Sequence, residues 1–366
     1  MKLKLPKLPR PERADEAPPL IGVAGQTGPV LLSALKGLAD LGRIRIAGLW
    51  APPGVTCGPA ADSLRLPPEN RFDDLEALLR RERLTALLVT GTFEDRTETI
   101  RKTVERKVHV LAEPPLAGTA AEAESLIDAA AAAGVHLGAI HSARYDALYA
   151  EPLGAVREGR IGEVLFVRTE GPGPDALDAD DGAAPFSAQL YEDIYLTRAW
   201  ASAPVTSVYA HTERRKRRRS EAGFTVLHLG HAGGGASVLG RINTAGAPSE
   251  VREIHGTDGA IRIHRAERAW SLRKRTEGGE DEAGAWTRND PGEETLRDGA
   301  APEGIPAGTG ARPSARALDD AFTSFARGVP PPVDGREAWL NLRALDAARE
   351  SARTGEVVRV EISFPR

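Results

Sequence analysis

Short apolar runs and helical segments alternate along residues 18–140, and this alternation restricts the fold more than any other feature of the chain. The segments between the runs carry apolar residues at helical spacing. Strands joined by helices of this length pair in parallel through right-handed crossovers, and helices cover both faces of the sheet. The pattern predicts an α/β domain with the strands LIGVAG, RIRIAGLW, TALLVTG, VHVLAEPP and VHLGAIH.

The second half of the chain has a different organisation. Strand-like runs follow one another without intervening helices, and GTDG is a turn signal between two of them, so residues 141–366 predict an α+β domain with an open, mostly antiparallel sheet. The stretch 276–316 has almost no apolar periodicity and predicts a long flexible loop, whereas 336–350 predicts a helix. Residues 1–17 alternate charge with proline and predict a flexible tail.

Composition narrows the functional classes. The chain has 366 residues and a formal net charge of −4, which argues against a nucleic-acid-binding protein as a whole. Cys57 is its one cysteine, so an intrachain disulfide framework is excluded and a cytoplasmic protein is expected. No apolar run is long enough to span a bilayer, so we expect no membrane insertion.

Two polar patterns give weaker signals. Six basic residues run from Arg214 to Arg219 and are typical of a solvated loop or an edge-strand guard, although such a run also suits a phosphorylated ligand or an acidic partner. His228 and His231 lie three residues apart, which in a strand directs them to opposite faces and disfavours a shared metal. The sequence contains no other metal-ligand pattern.

Glycines mark the point where the first strand meets its helix, in the spacing Gly22-x-x-Gly25-x-x-Gly28. Glycine allows the backbone to approach a pyrophosphate closely, and the N-terminus of the following helix attracts negative charge. The strand–turn–helix context favours a dinucleotide site over a tight turn that needs glycine for geometry alone.

The chain resembles the Gfo/Idh/MocA oxidoreductases from about residue 20 to its end. The segments LIGVAGQTG, VHVLAEPPLAG, GEVLFVR, EIHGTDGAIRI and the closing stretch from FARGVPPPVDG to ARTGEVV carry the resemblance. It implies a Rossmann-like N-terminal domain, an NAD(P) cofactor, a sugar-like or otherwise polar small-molecule substrate and a homo-oligomer formed through the C-terminal sheet.

The cofactor residues depart from the family fingerprint Gly-x-Gly-x-x-Gly. Aligned on Gly25, Thr27 and Val30 replace the second and third glycines, and we expect Thr27 to reach toward the phosphate and Val30 to crowd the helix–strand contact. No acidic residue follows the second strand. Trp50 occupies that region and either stacks on an adenine or, more in keeping with an aromatic residue, packs in the core. The candidate cofactor-binding residues are Gly25, Thr27, Gly28, Trp50, Thr90 and Glu113.

The family's acid–base residues are also changed. The lysine of its Glu-Lys-Pro motif is Pro114 here, and alignment through PVTSVYA places Ala188 and Glu192 at the positions of its aspartate and histidine. Alanine and proline have no group that accepts a proton from a hydroxyl.

A different polar cluster takes their place. Glu192 is the candidate base, and Tyr195 and Tyr145 are the candidate acids. The resemblance implies that IHSARYD adds His141 and Arg144 to the same cleft. The alternative interpretation makes Glu192 and Asp193 solvated helix carboxylates and the tyrosines packing residues.

Three functions fit this pattern. The first is an NAD(P)-dependent oxidoreductase of altered chemistry. The second is a non-catalytic binding or assembly partner that kept the fold. The third is a lyase, isomerase or cyclase that uses the Tyr/Glu cluster without redox chemistry, and fold alone does not separate the three.

Overall fold

The computed structural model describes residues 17–56, 58–91, 96–173, 188–216, 221–243, 250–275, 284–290 and 311–364, and only the backbone of residues 188, 214–216 and 221–222. Cys57 and residues 217–219 of the basic run therefore lie outside the described residues.

The predicted parallel sheet is confirmed. Within the described ranges it has six strands in the order β3-β2-β1-β4-β5-β6, and every neighbouring pair is parallel. Because all six strands end at the same edge, residues that follow them are brought together there. The strands are β1 (Leu20–Gly25), β2 (Arg45–Trp50), β3 (Arg71–Phe72), β4 (Leu84–Thr90), β5 (His109–Ala112) and β6 (Leu137–Ala139).

Helices cover this sheet because their apolar residues recur on one face. In α1, for example, Leu31, Ala34, Leu35 and Leu38 are all buried. In the part of the chain before β7, the helices are α1 (Pro29–Asp40), α2 (Gly58–Ser63), α3 (Leu75–Leu79), α4 (Arg96–Glu105), α5 (Ala120–Ala133) and α6 (Ala147–Arg157), with 3₁₀ turns at Pro68–Asn70 and Ser142–Tyr145.

Local capping explains where α5 begins and ends. Thr119 accepts a hydrogen bond from the Glu122 N–H at 3.2 Å, and the Glu122 carboxylate accepts one from the Gly118 N–H at 2.9 Å. Gly134 ends the helix in the left-handed conformation, at φ 72°. The N-terminal cap and the C-terminal glycine thus fix where the helix that connects β5 to β6 begins and ends.

The second sheet is mixed and mostly antiparallel, as predicted. Among the described residues it has nine strands in the order β14-β13-β12-β11-β7-β10-β9-β8-β15, and only β7 and β10 pair in parallel. Its strands are β7 (Val164–Pro172), β8 (Val205–Lys216), β9 (Glu221–His231), β10 (Ala236–Asn243), β11 (Val251–Gly256), β12 (Gly259–His264), β13 (Ala269–Lys274), β14 (Thr287–Asn289) and β15 (Val358–Arg359).

Three further helices complete the described fold, and one of them corrects the loop prediction. They are α7 (Ala188–Ala201), α8 (Ala311–Ala326) and α9 (Gly335–Thr354), the last of which contains the predicted helix 336–350. The loop predicted at 276–316 is wrong for β14 and for residues 311–316, which form the start of α8. Pro313 lies in the first turn of that helix, where proline is tolerated because the N–H it lacks has no helical partner.

Helix α8 packs on the first sheet although it is late in the sequence. Leu318, Phe322 and Phe325 are buried in one apolar cluster with residues of β1 and α1. Arg43, just after α1, donates two hydrogen bonds to Asp319, at 3.1 and 2.5 Å. The core of the N-terminal sheet thus depends on residues beyond 140. No helix in the described ranges is long and apolar enough to cross a membrane.

Candidate functional site

The glycine turn after β1 leaves open space at the start of α1. Gly25 has φ 100°, a conformation that favours glycine. Gly28 begins α1 without a side-chain cap, and a Cβ added to Gly28 would meet no heavy atom within 4 Å. The first-turn N–H groups of α1 and the open space at Gly28 together suit a pyrophosphate.

Two arguments against cofactor binding are wrong in this structure. The Thr27 hydroxyl lies 3.0 Å from the Thr90 hydroxyl, which in turn donates to the Ala24 carbonyl at 3.2 Å. The Thr27 side chain is therefore held against the end of β4 instead of reaching for a phosphate. Val30 is 41% exposed, so it does not crowd a helix–strand contact.

Gly91, which follows β4, packs against the glycine turn at Gln26. It has φ +70°, and an added Cβ would lie 2.9 Å from the Gln26 carbonyl oxygen. We expect Gly91→Ala to lower the free energy of unfolding by more than about 1 kcal/mol, because it adds both backbone strain and a clash. Urea unfolding measures this. Gly42→Ala is the matched control, with φ +66° and no atom within 4 Å, and an equal loss in both variants would contradict a special contact at Gly91.

Trp50 and Glu113 also lie at this edge. Trp50, at the end of β2, is 7% exposed and packs in the main apolar cluster, so the packing interpretation holds and its ring is not a free stacking surface. The Glu113 carboxylate accepts a hydrogen bond from the Gly91 N–H at 2.7 Å. Its carboxylate therefore fixes the turn after β4.

His141 and Glu192 form the centre of the candidate site. His141 follows β6, Glu192 comes from α7, and the His141 Nδ1 lies 2.9 Å from the Glu192 Oε2. The histidine side chain is fully buried, while the glutamate side chain is 22% exposed. Among the described residues, the buried His141 Nε2 and Glu192 Oε1 have no hydrogen-bond partner. Buried polar atoms without a partner are uncommon in folded proteins, and these two belong to the same His141–Glu192 contact.

Two tyrosine rings hold the imidazole in place. The ring of Tyr195 stacks on His141 with centroids 3.8 Å apart, and that of Tyr191 stacks at 5.5 Å. Burial raises the pKa of Tyr191 and Tyr195, so both hydroxyls stay protonated at neutral pH. The structure therefore brings Glu192 and Tyr195 together with His141, and the role of Tyr195 as an acid stays a prediction.

Tyr145 lies to one side of this centre. Its hydroxyl hydrogen-bonds to Asp320 of α8, and burial raises the pKa of both groups. Arg144, beside it, donates to the Tyr195 hydroxyl at 3.2 Å. The Ser142 and Ser314 hydroxyls, 2.9 Å apart, connect the same 3₁₀ turn to α8. Sequence reasoning missed α8 as part of the site.

Asp193 is not a solvated carboxylate, which corrects that interpretation. It is 1% exposed and accepts hydrogen bonds from two buried arginines. Arg252 donates at 2.9 Å. Arg241 donates through Nε at 2.7 Å and also through a terminal guanidinium nitrogen. Glu250 in turn binds Arg252 and Arg265, each at 2.6 Å. This buried ion network connects α7 to the second sheet, so Asp193 is a structural residue one position from Glu192.

The described ranges contain no group of three or more His, Cys, Asp and Glu side chains placed to hold a metal ion. His231 is buried and bonds to the Ser237 hydroxyl at 2.7 Å, whereas His228 is exposed.

One family model matches the N-terminal part of the chain. Residues 20–141 match the model of an oxidoreductase family with an NAD-binding Rossmann fold, Gfo/Idh/MocA. No curated protein sequence matches the chain.

Solved structures match nearly the whole chain in fold. An oxidoreductase domain protein from Kribbella flavida superposes with a TM-score of 0.77 at 21% identity, over 94% of this chain and all of that one. Levoglucosan dehydrogenase with NADH and levoglucosan gives 0.75 at 17% identity, covering 93% and 99%. An oxidoreductase from Agrobacterium radiobacter with NAD⁺, L-tartaric acid and magnesium gives 0.71 at 17% identity, covering 93% and 98%.

Proposed function

We propose that this chain is an NAD(P)-dependent oxidoreductase acting on a hydroxyl or carbonyl group of a small polar, sugar-like substrate, because residues 20–141 match the NAD-binding Rossmann-fold model of the Gfo/Idh/MocA oxidoreductases. His141, paired with Glu192, replaces the family's missing acid–base residues. The observation that carries the proposal is the 2.9 Å contact between these side chains, with His141 Nε2 buried and unpartnered among the described residues.

Different residues of the chain would hold the cofactor and transfer the proton. The turn at Gly25 and Gly28 and the start of α1 would hold the pyrophosphate of the cofactor. A bound nicotinamide would accept or supply the hydride. His141 takes the hydroxyl proton as the carbonyl forms, and Glu192 stabilises the imidazolium that results. The stacked rings of Tyr191 and Tyr195 keep the imidazole in one plane, which preserves its orientation toward the substrate.

The substrate class is supported by the solved relatives in fold, one of which holds levoglucosan and another L-tartaric acid. A homo-oligomer formed through the nine-stranded sheet and a cytoplasmic location both stay predictions.

We expect the purified protein to bind NADH or NADPH with micromolar affinity in a fluorescence or calorimetric titration. Gly28→Asp tests the site, because aspartate is a good helix N-cap and Gly28 has φ −67°, so the fold is kept while a negative charge fills the phosphate position. The affinity is expected to fall by more than about tenfold. Gly58→Asp places the same charge at the open start of α2 and serves as the control.

The absence of binding at millimolar cofactor, with the protein folded, would refute this function. Product formed from a substrate panel without cofactor would favour the non-redox alternative, which the cluster of Glu192 and Tyr195 motivates.

A further inference from the structure

Buried arginines elsewhere in the described structure are neutralised by carboxylates. Arg198 pairs with Glu337 at 3.2 Å, and Arg241 and Arg252 both pair with Asp193. Arg96, at the start of α4, is the exception: it is 8% exposed but forms no ion pair with any described residue. A buried charge without a carboxylate in ion-pair contact is unfavourable unless hydrogen bonds compensate it.

The position of Arg96 provides such hydrogen bonds. Its guanidinium donates to the Pro115 carbonyl at 2.6 Å and also to the Glu113 carbonyl, so it binds the backbone on both sides of Pro114. Pro114 occupies the position at which the resembling family has its lysine. Arg96 thus places a cation at the segment where the lysine charge is missing.

The surroundings of Arg96 connect it to the candidate site. The segment that it holds follows β5, and His141 follows the neighbouring strand β6, where the Ile140 N–H donates to the Ala112 carbonyl at 2.9 Å. Burial lowers the pKa of Arg96 to about 10, although Glu113 opposes this effect, so the group stays charged at neutral pH. Two of its nitrogens bind carbonyls, and its buried Nε has no partner among the described residues.

We propose that Arg96 supplies the positive charge that the family's lysine would bring, so that a substrate oxygen gaining negative charge is stabilised near His141. The inference rests on the proposed function. Arg96 acts as a positioning residue through the field of its guanidinium and through the segment that it holds. The chemical reason is that a fixed cation in a water-poor site favours the charge-separated state over the neutral alcohol.

The test removes the positive charge at Arg96 and then adds a positive charge at Pro114. We expect Arg96→Gln to lower kcat by more than about 100-fold while the affinity for NADH stays within about threefold. Adding Pro114→Lys to that variant recreates the Glu-Lys-Pro sequence and is expected to recover at least tenfold in kcat. A purely structural role for Arg96 would not respond to a lysine at position 114. Arg101→Gln, on the exposed face of α4, is the control for loss of a charge from the same helix.

Several outcomes would overturn the proposal: kcat of Arg96→Gln within threefold of wild type, no recovery on adding Pro114→Lys, or a loss of NADH affinity equal to the loss of kcat. Arg96→Met, which fills a similar volume without charge, repeats the test if the glutamine variant does not fold. Failure of the wild-type protein to bind NADH or to turn over a substrate would instead count against the proposed function, so the two failures are distinguishable.

Discussion

Replacing His141 with asparagine is expected to lower kcat by about 10²–10⁴-fold, the range typical of losing a general acid–base group. The side chain is buried, stacked on Tyr195 and bonded to Glu192, and asparagine replaces its basic ring nitrogens with an amide that does not accept a proton. The affinity for NADH is expected to change by less than about threefold, because the glycine turn lies after β1 and His141 after β6.

The measurement is steady-state turnover with the substrate identified by the panel, together with an NADH titration and a melting curve. His228→Asn is the matched control, since His228 is an exposed histidine on β9. Glu192→Gln is expected to give a smaller loss of kcat than His141→Asn, because the amide oxygen can still orient the ring but carries no charge. Wild-type turnover in His141→Asn would exclude His141 as the proton acceptor.

The largest effect on stability is expected at Asp193. Asp193→Ala leaves Arg241 and Arg252 buried without their shared carboxylate, and breaking such a group by removing one partner reduces the free energy of unfolding by about 3–5 kcal/mol. Burial alone would lower the pKa of Arg252, but Asp193, with smaller contributions from Tyr149 and Glu250, raises it instead. The Arg252 guanidinium also lies 5.3 Å from the Tyr149 ring centroid, so the disturbance reaches the apolar core.

Urea unfolding of Asp193→Ala measures this loss. Lys36→Ala, which removes the exposed Lys36–Asp40 pair at 2.5 Å, is the control and is expected to cost less than about 1 kcal/mol. Equal losses in the two variants would mean that the buried network contributes no more than a surface ion pair.

Local signals allowed much of the fold to be predicted. The first sheet was predicted from apolar runs and glycine turns. Each of these signals lies within a few residues of the strand or turn that it predicts. The helix α8 was partly missed because Pro313 and the polar stretch before it hid its start. Its packing against α1 joins Arg43 to Asp319, 276 residues apart, and no periodicity in the sequence reports such a contact.

The candidate site, too, was only partly predicted from the sequence. Glu192 and Tyr195 were found because their segment aligns with a family motif, and His141 was placed in the cleft by resemblance. The pairing of His141 with Glu192 joins residues 51 positions apart across the two sheets, which spacing alone cannot reveal. Arg96 was missed because the sequence argument concerned only the residue that replaces the lysine. The position of a substitute charge on a neighbouring helix becomes visible only in three dimensions.

The late position of α8 has a consequence for biosynthesis. The apolar cluster that α8 shares with β1 and α1 is incomplete until residues up to Phe325 have left the ribosome. At synthesis rates of about 5–20 residues per second, the cluster lacks α8 for roughly ten seconds or longer after β6 has been made. The candidate site, which takes Ser314 and Asp320 from the same helix, is assembled only after α8 has been made.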